Sequence, residues 1–457
     1  MSRLRSLLHS LVKAEDGQTM MLVLGITMLM STLAMVLVDV VVGGNTRSAQ
    51  SVKQQTAYQA AEAGIDDYTS KLVEDSLYFT HYVHSAESTR KATNGTLVAA
   101  GAAWPYDLNW TYPVRHNAWL SLPNGYQYNL EITAPSAATN NATTILSTGR
   151  PANDANKSDW VSLQVQERPG SLADYTMFSD AAVSYGATAI TNGQIYSNST
   201  VNHSGTASAS IFAYGGFSGS VTLQNGAKVY SGAAAVQAVL PNAPINFNSF
   251  LGALVNVQNA SQSGGVYLND ATAAAWQIVF QPDGTFTAQT CQGASGQDVA
   301  AAVPVCGAAT IYNVPANGAI YSPQTVIVSG QVHGRVTVAS NNNIDIGGST
   351  SYVTPGQDVL GMIAANSVIV AHWVPNNLSW TGATLAQSGS WSSYNNDSSH
   401  GTMTFTGSTA TKLGGSMTMF QTRIYNYDPN LLYLPPPWFP TFPNSYTTLL
   451  FRQVPPS

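Results

Sequence analysis

The chain has 457 residues and a formal net charge of −6, a length that fits about two or three domains. Only 9% of its residues are Asp, Glu, Lys or Arg, against about 25% in ordinary soluble proteins; Gly, Ser, Thr, Asn and Ala take their place. No basic cluster occurs outside the segment holding Arg3, Arg5 and Lys13, which disfavours a nucleic-acid partner and leaves a profile suited to extracellular β-rich architecture.

From Gly17 to Val38 no side chain carries a charge, and the run follows directly on Glu15-Asp16. About 20 apolar residues cross a hydrocarbon core as a helix. The basic residues ahead of it place the N-terminus in the cytoplasm and the rest of the chain, from about residue 43, outside. The run is too long for a secretory signal peptide, and Val41 to Thr46 offers no small-x-small cleavage site, so an uncleaved anchor in membrane lipid is the plainest reading. The helical pattern continues further: Val52, Ala57, Ala60, Ala61, Gly64, Ile65, Tyr68 and Leu72 recur at helical spacing, and no Pro interrupts residues 18–78. One helix is expected over that span.

The block Thr56-Ala57-Tyr58-Gln59-Ala60-Ala61-Glu62-Ala63-Gly64-Ile65 resembles the N-terminal region of PilX-type minor pilins of type IV pilus systems, over roughly residues 13–70. That resemblance implies a prepilin peptidase cut between Gly17 and Gln18. It makes Ala60, Ala61, Glu62, Ala63 and Gly64 an assembly-helix motif, with other pilin subunits and the inner-membrane assembly platform as partners. Two positions depart from the major-pilin pattern. Gln18 stands where an aromatic or Met is usual, and Leu22 where a Glu is usual. A carboxylate in lipid is costly and implies a partner, so its absence points to an accessory subunit.

Residues 79–170 are rich in aromatics, among them Trp104, Trp110, Trp119, Tyr126 and Tyr128. Gly125 to Ile132 and Asp159 to Gln166 alternate as strands do, which fits a small sheet beside the helix. The aromatics read first as the core of that sheet and second as a sugar-binding surface. Arg168-Pro169-Gly170 reads as a break.

Beyond it, Asn192 to Gly205 aligns without a gap with Asn317 to Gly330, sharing Asn-Gly, Ile-Tyr-Ser, Thr-Val and Ser-Gly at the same positions. Short strands punctuated by Gly and Asn follow each copy, the pattern of a parallel β-helix or related solenoid. Residues 240–312 interrupt it. Phe247 to Val257 is expected as a short helix, Trp276 to Phe280 and Thr285 to Ala288 as strands, and Asp283-Gly284 as their turn. Cys291 and Cys306 close this insert and are expected to form a disulfide in an oxidising compartment. Pro435-Pro436-Pro437-Trp438-Phe439-Pro440 should lie extended, its aromatics covering the end of the solenoid.

The expected organisation is therefore mainly β with a long N-terminal α-helix. A charged leader (1–17) precedes a transmembrane and pilin-like helix (18–78), a small β-rich region (79–170) and a β-solenoid (171–457) with an α+β insert and a Pro-rich tail.

No catalytic motif stands out. Glycoside hydrolysis needs two carboxylates about 5–10 Å apart, and Asp345, Asp358, Asp397 and Asp428 fall in no paired pattern; Asp345, Asp358 and Asp397 are expected on a solvated face. Arg335 reads as a surface charge. His81 and His84 sit three apart with Glu87 following, a weak metal-ligand pattern without a further ligand. The expectation is a non-catalytic, pilin-like envelope protein of the cell surface, working in pilus assembly or adhesion to a surface glycan or protein. No cofactor is expected. The alternative is a membrane-anchored β-helix enzyme or binding protein acting on polysaccharide.

Overall fold

The computed structural model describes residues 27–33, 35, 50–73, 90–91, 97–98, 114–115, 119–133, 142–240, 242–432 and 434–456. The chain is mainly β, built into several sheets. Residues 27–33, 35 and 50–73 are helical; the rest of the helix expected over 18–78 lies outside the described residues. Among those residues no helix is long and apolar enough to cross a membrane.

Residues 50–73, here α1, form an amphipathic helix. Ala57, Ala60, Ala61, Ile65, Tyr68 and Leu72 are buried and recur every three or four positions, which gathers them on one face. That face packs on Tyr128, Leu130, Ile132, Ile145, Leu163 and Val165. These side chains come from an antiparallel sheet whose order runs Val114–Arg115, Tyr126–Thr133, Thr143–Pro151, Val161–Ser171 and Thr441–Val454. Tyr126–Thr133 shows the alternation that a half-buried strand requires. Tyr128 belongs to the core, while Trp119 and Trp160 flank the Arg150 guanidinium, 3.6 Å and 5.1 Å from the two ring centres. Trp104 and Trp110 lie outside the described residues.

Two expectations are corrected here. Arg168-Pro169-Gly170 is no break: strand Val161–Ser171 runs through it. Pro169, which lacks an N–H, falls beside a register shift in the ladder with Thr441–Val454, where a strand tolerates it. The chain's last strand also joins this sheet, so Thr441–Val454 is part of the helix-and-sheet unit and not of the 171–440 body.

A 3-10 turn, Leu172–Asp174, with a capping box from Ser171, feeds the chain into that body. There, short strands stack in parallel as successive coils. One continuous ladder runs Val266–Tyr267, Ala319–Ser322, Arg335–Ser340, Val359–Ala364, Leu378–Ala386, His400–Thr411, Met177–Ser179, Ile195–Ser197, Ile211–Ala213 and Val229–Ser231. The chain therefore enters its own stack in the middle: Thr409 to Thr411, late in sequence, pairs with Met177 to Ser179, the first coil. Other faces carry parallel ladders too, one from Ala275–Phe280 through Thr325–Val332 and Ile344–Tyr352 to Trp391–Ser393, another from Val183–Tyr185 through Thr200–His203 to Gly216–Ser218.

The two aligned segments occupy the same phase of a coil. Ile195 and Ile320 point into the interior, together with Val201 and Val326. Tyr196 and Tyr321 point the other way and are buried from outside. Because parallel ladders set equivalent residues above one another, the outward aromatics stack: Phe178 on Tyr196 at 5.0 Å and Phe212 on Tyr230 at 5.0 Å. At the corners small hydroxyl residues turn the chain. The hydroxyls of Ser197, Ser322 and Ser340 each accept from the backbone N–H two residues on. A column of uncharged residues repeats without electrostatic penalty.

The insert leans on this body. The 3-10 turn Phe247–Phe250 and helix Gly252–Gln262 cover the outward aromatic face through Phe247, Phe250, Leu254 and Val257. Ala275–Phe280 and Thr285–Gln292 form the hairpin, turned at Asp283-Gly284, whose carboxylate accepts from Thr285 N and Oγ1. Cys291 and Cys306 are joined by a disulfide between paired strands, Cα to Cα 4.0 Å.

The Pro-rich tail covers the side of the stack, not its end. Pro435 and Pro437 carbonyls accept from Arg335 Nη2 (3.1 Å) and Thr337 Oγ1, and Trp438 Nε1 donates to Asn317 O at 2.8 Å. Those bonds satisfy a Pro segment that cannot pair through its own nitrogens.

Candidate functional site

Three places hold residues with a case for function. The first is the face of α1. Ala60, Ala61 and Gly64 lie against the sheet, while Glu62 and Ala63 are half-exposed. A Cβ at Gly64 would stand 2.3 Å from Ser147 Oγ and 2.7 Å from the Tyr128 ring. On the facing strand a Cβ at Gly149 would stand 2.0 Å from Ala57 O. The small residues of the motif thus let helix and sheet backbones approach closely. Polar bonds border the contact: Lys53 Nζ to Asp159 at 3.0 Å and Thr69 Oγ1 to Glu167 at 2.7 Å. Burial pushes the Glu167 carboxyl up. Gly17 and Gln18 lie outside the described residues.

The second place is a set of carboxylates. Asp345, expected on a solvated face, is 1% exposed, and neither carboxylate oxygen has a hydrogen-bond partner within the described residues. It lies on a coil between Ile327 and Ile369, and burial drives its pKa well up, with Asp298 adding to the shift. Asp358 and Asp428 are buried as well. Asp358 accepts from Gly334 N at 2.7 Å and Thr354 N at 2.6 Å, and Asp428 accepts from Asn430 N at 3.0 Å. These two carboxylates hold turns, and sequence reasoning, which favoured a solvated face, missed the backbone donors that folding brings to them. Only Asp397 is exposed in the way expected; Ser399 Oγ (2.7 Å) and His372 Nε2 (3.0 Å) bond it and its pKa falls to about 2. Ser399 Oγ also meets His400 Nδ1 at 2.8 Å. A carboxylate held ionised by its neighbours is a poor general acid. Arg335, expected as a surface charge, binds the tail and is half-buried; that burial lowers its pKa. Among the described residues no group of three or more His, Cys, Asp or Glu could hold a metal ion. His81, His84 and Glu87 lie outside them.

The third place is a cleft of about 870 Å³ where the coil stack, the insert and the C-terminal strand meet. Tyr175 and Phe442 meet edge-on in its lining at 6.1 Å between ring centres. The corner at Asn192 to Gln194, the loop at Asn242 to Asn246, and Tyr446 complete it. Asp174 also lines it. Burial raises the Asp174 pKa, while the Arg168 guanidinium and Ser171 N–H favour the charged form. The cleft was not legible in the sequence, because its walls come from segments some 270 residues apart, Tyr175 to Tyr446.

No family model and no curated protein matches the chain. Among solved structures it is similar to the competence-associated pilin ComZ from Thermus thermophilus, at 12% identity and a TM-score of 0.30, covering 88% of this chain and 97% of that chain. A likeness at that score carries no argument, and the functional reading rests on the chain's own residues.

Proposed function

We propose that this is a pilin-like envelope protein, a non-catalytic accessory subunit that takes part in pilus assembly or surface adhesion. The observation that carries the reading is the close seating of the Ala57–Gly64 face on an antiparallel sheet. It gives a physical reason for the small residues that make the block resemble PilX-type sequences. In this reading the apolar run 17–38 is a single membrane pass with the N-terminus in the cytoplasm, and α1 continues it outward. The helix docks with other pilin subunits and the assembly platform, and the stacked coils, read as a β-solenoid, form the outward head. Leu22 in place of Glu favours an accessory position over bulk filament building. A head without glycosidase chemistry is supported by Asp345 being shut away from solvent and by Asp358 and Asp428 being engaged in turns.

The test is the mature N-terminus. Co-expressed with a prepilin peptidase, the chain is expected to begin at Gln18 by intact-mass analysis, and to crosslink through α1 to other pilins. A chain that still begins at Met1 beside an active peptidase overturns the processing step.

A further inference from the structure

The cleft between stack, insert and C-terminal strand combines three properties. Its volume, about 870 Å³, falls in the range of small-molecule sites, which favour junctions between structural units. Tyr175, a lining residue, is 8% exposed, and its hydroxyl has no hydrogen-bond partner within the described residues. Burial drives its pKa up, so the phenol is neutral and both donates and accepts. At the rim the side-chain amides of Gln194 and Asn242 are also without partners within the described residues. The carboxylate in the lining, Asp174, already faces Arg168.

We propose that this cleft binds a neutral oligosaccharide. An apolar ligand would leave the Tyr175 hydroxyl unpaired, a cost of about 1–3 kcal/mol for a buried polar group. An anion would find its attraction spent, because Arg168 is committed to Asp174. A cation would compete with Arg168 for the same carboxylate. A sugar ring offers an apolar C–H face to Phe442 and Tyr446, and hydroxyls that both donate and accept to Tyr175, Gln194 and Asn242. These groups are thereby matched without a charge.

The inference goes beyond the pilin reading and does not depend on leader processing. The full-length chain, held in a sugar-free detergent, would be titrated calorimetrically with maltotriose, cellotriose, mannotriose and chitotriose, with trigalacturonate and a neutral apolar tripeptide as competing probes. At least one neutral trisaccharide is expected to bind at about 1 mM or tighter. Tyr175→Phe, and separately the rim variant Gln194→Ala with Asn242→Ala, should each weaken it about tenfold with the melting temperature unchanged; Asp397→Asn should leave it unaltered. Failure of all four neutral sugars against folded protein overturns the proposal. So does preferential binding of trigalacturonate or the tripeptide, or sugar binding that neither cleft variant weakens. A negative result leaves the Gln18 test standing, and an uncut Met1 leaves the sugar titration standing.

Discussion

Asp345 is held between two isoleucines with neither oxygen bonded within the described residues. An unpaired buried carboxyl favours its neutral form, and Asp298 nearby adds to that preference. The sign of the consequence follows. Once pH rises past the ordinary aspartate range, the unfolded chain releases this proton while the folded chain retains it. Stability therefore declines with rising pH, from the ordinary aspartate range up through the raised folded value. Asp345→Asn removes the ionisation. The variant is expected to gain stability over the wild type as pH increases from 4 to 7 and to show the flatter pH profile. Chemical denaturation at several pH values reads this directly; equal slopes for the two proteins would contradict it.

At the level of elements, what the sequence made legible was periodicity, and what it hid was partnership. The helical stripe from Ala57 to Leu72, the alternation of Tyr126–Thr133 and the shared phase of Ile195 and Ile320 all appear in the fold. Each depends on neighbours close in sequence. Three features depended on distant chain and were misread. Pro169 sits within a strand because its partner shifts register opposite it; the Pro run lies along the stack because Arg335 and Thr337 donate to it; Asp358 is buried because Gly334 and Thr354 supply N–H groups. The Ala60 to Gly64 motif was readable as a pattern, but its cause appears only with Gly149 opposite. Gly149→Ala puts a methyl group on the Ala57 carbonyl and is expected to destabilise the helix-on-sheet unit by about 1–3 kcal/mol. Earlier proteolytic cleavage within residues 50–73 than within the coils would report it. An exposed helix position such as Gln59 gives the matched control.

For the whole molecule, the order of the chain and the order of the stack disagree. The coils from Met177 to Ser231 sit beyond those that end at Thr411, and the last strand, Thr441–Val454, returns to pair with Val161–Ser171. The first coil has Ile195–Ser197 on one side but gains its second neighbour only once the late coils exist, so contacts distant in sequence complete the assembly. Truncation after Pro440 leaves the coils intact but strips the sheet of its outer strand and the cleft of Phe442 and Tyr446. Such a chain is expected to keep the coil signature in circular dichroism, to melt about 5 °C or more lower, and to lose any ligand the cleft holds. A truncated chain that melts and binds like the full one would contradict this.

That returning strand also has a mechanical meaning. Residues 172–440 are tethered at both ends to one sheet, which itself rests on α1. A pull on the body reaches α1 through two adjacent strands bonded along their length, and not through one pliant linker. The body has little freedom to swivel about its base. Force would have to break a run of backbone hydrogen bonds together before either tether paid out, so a surface that grips the cleft would pull on the helix almost without slack.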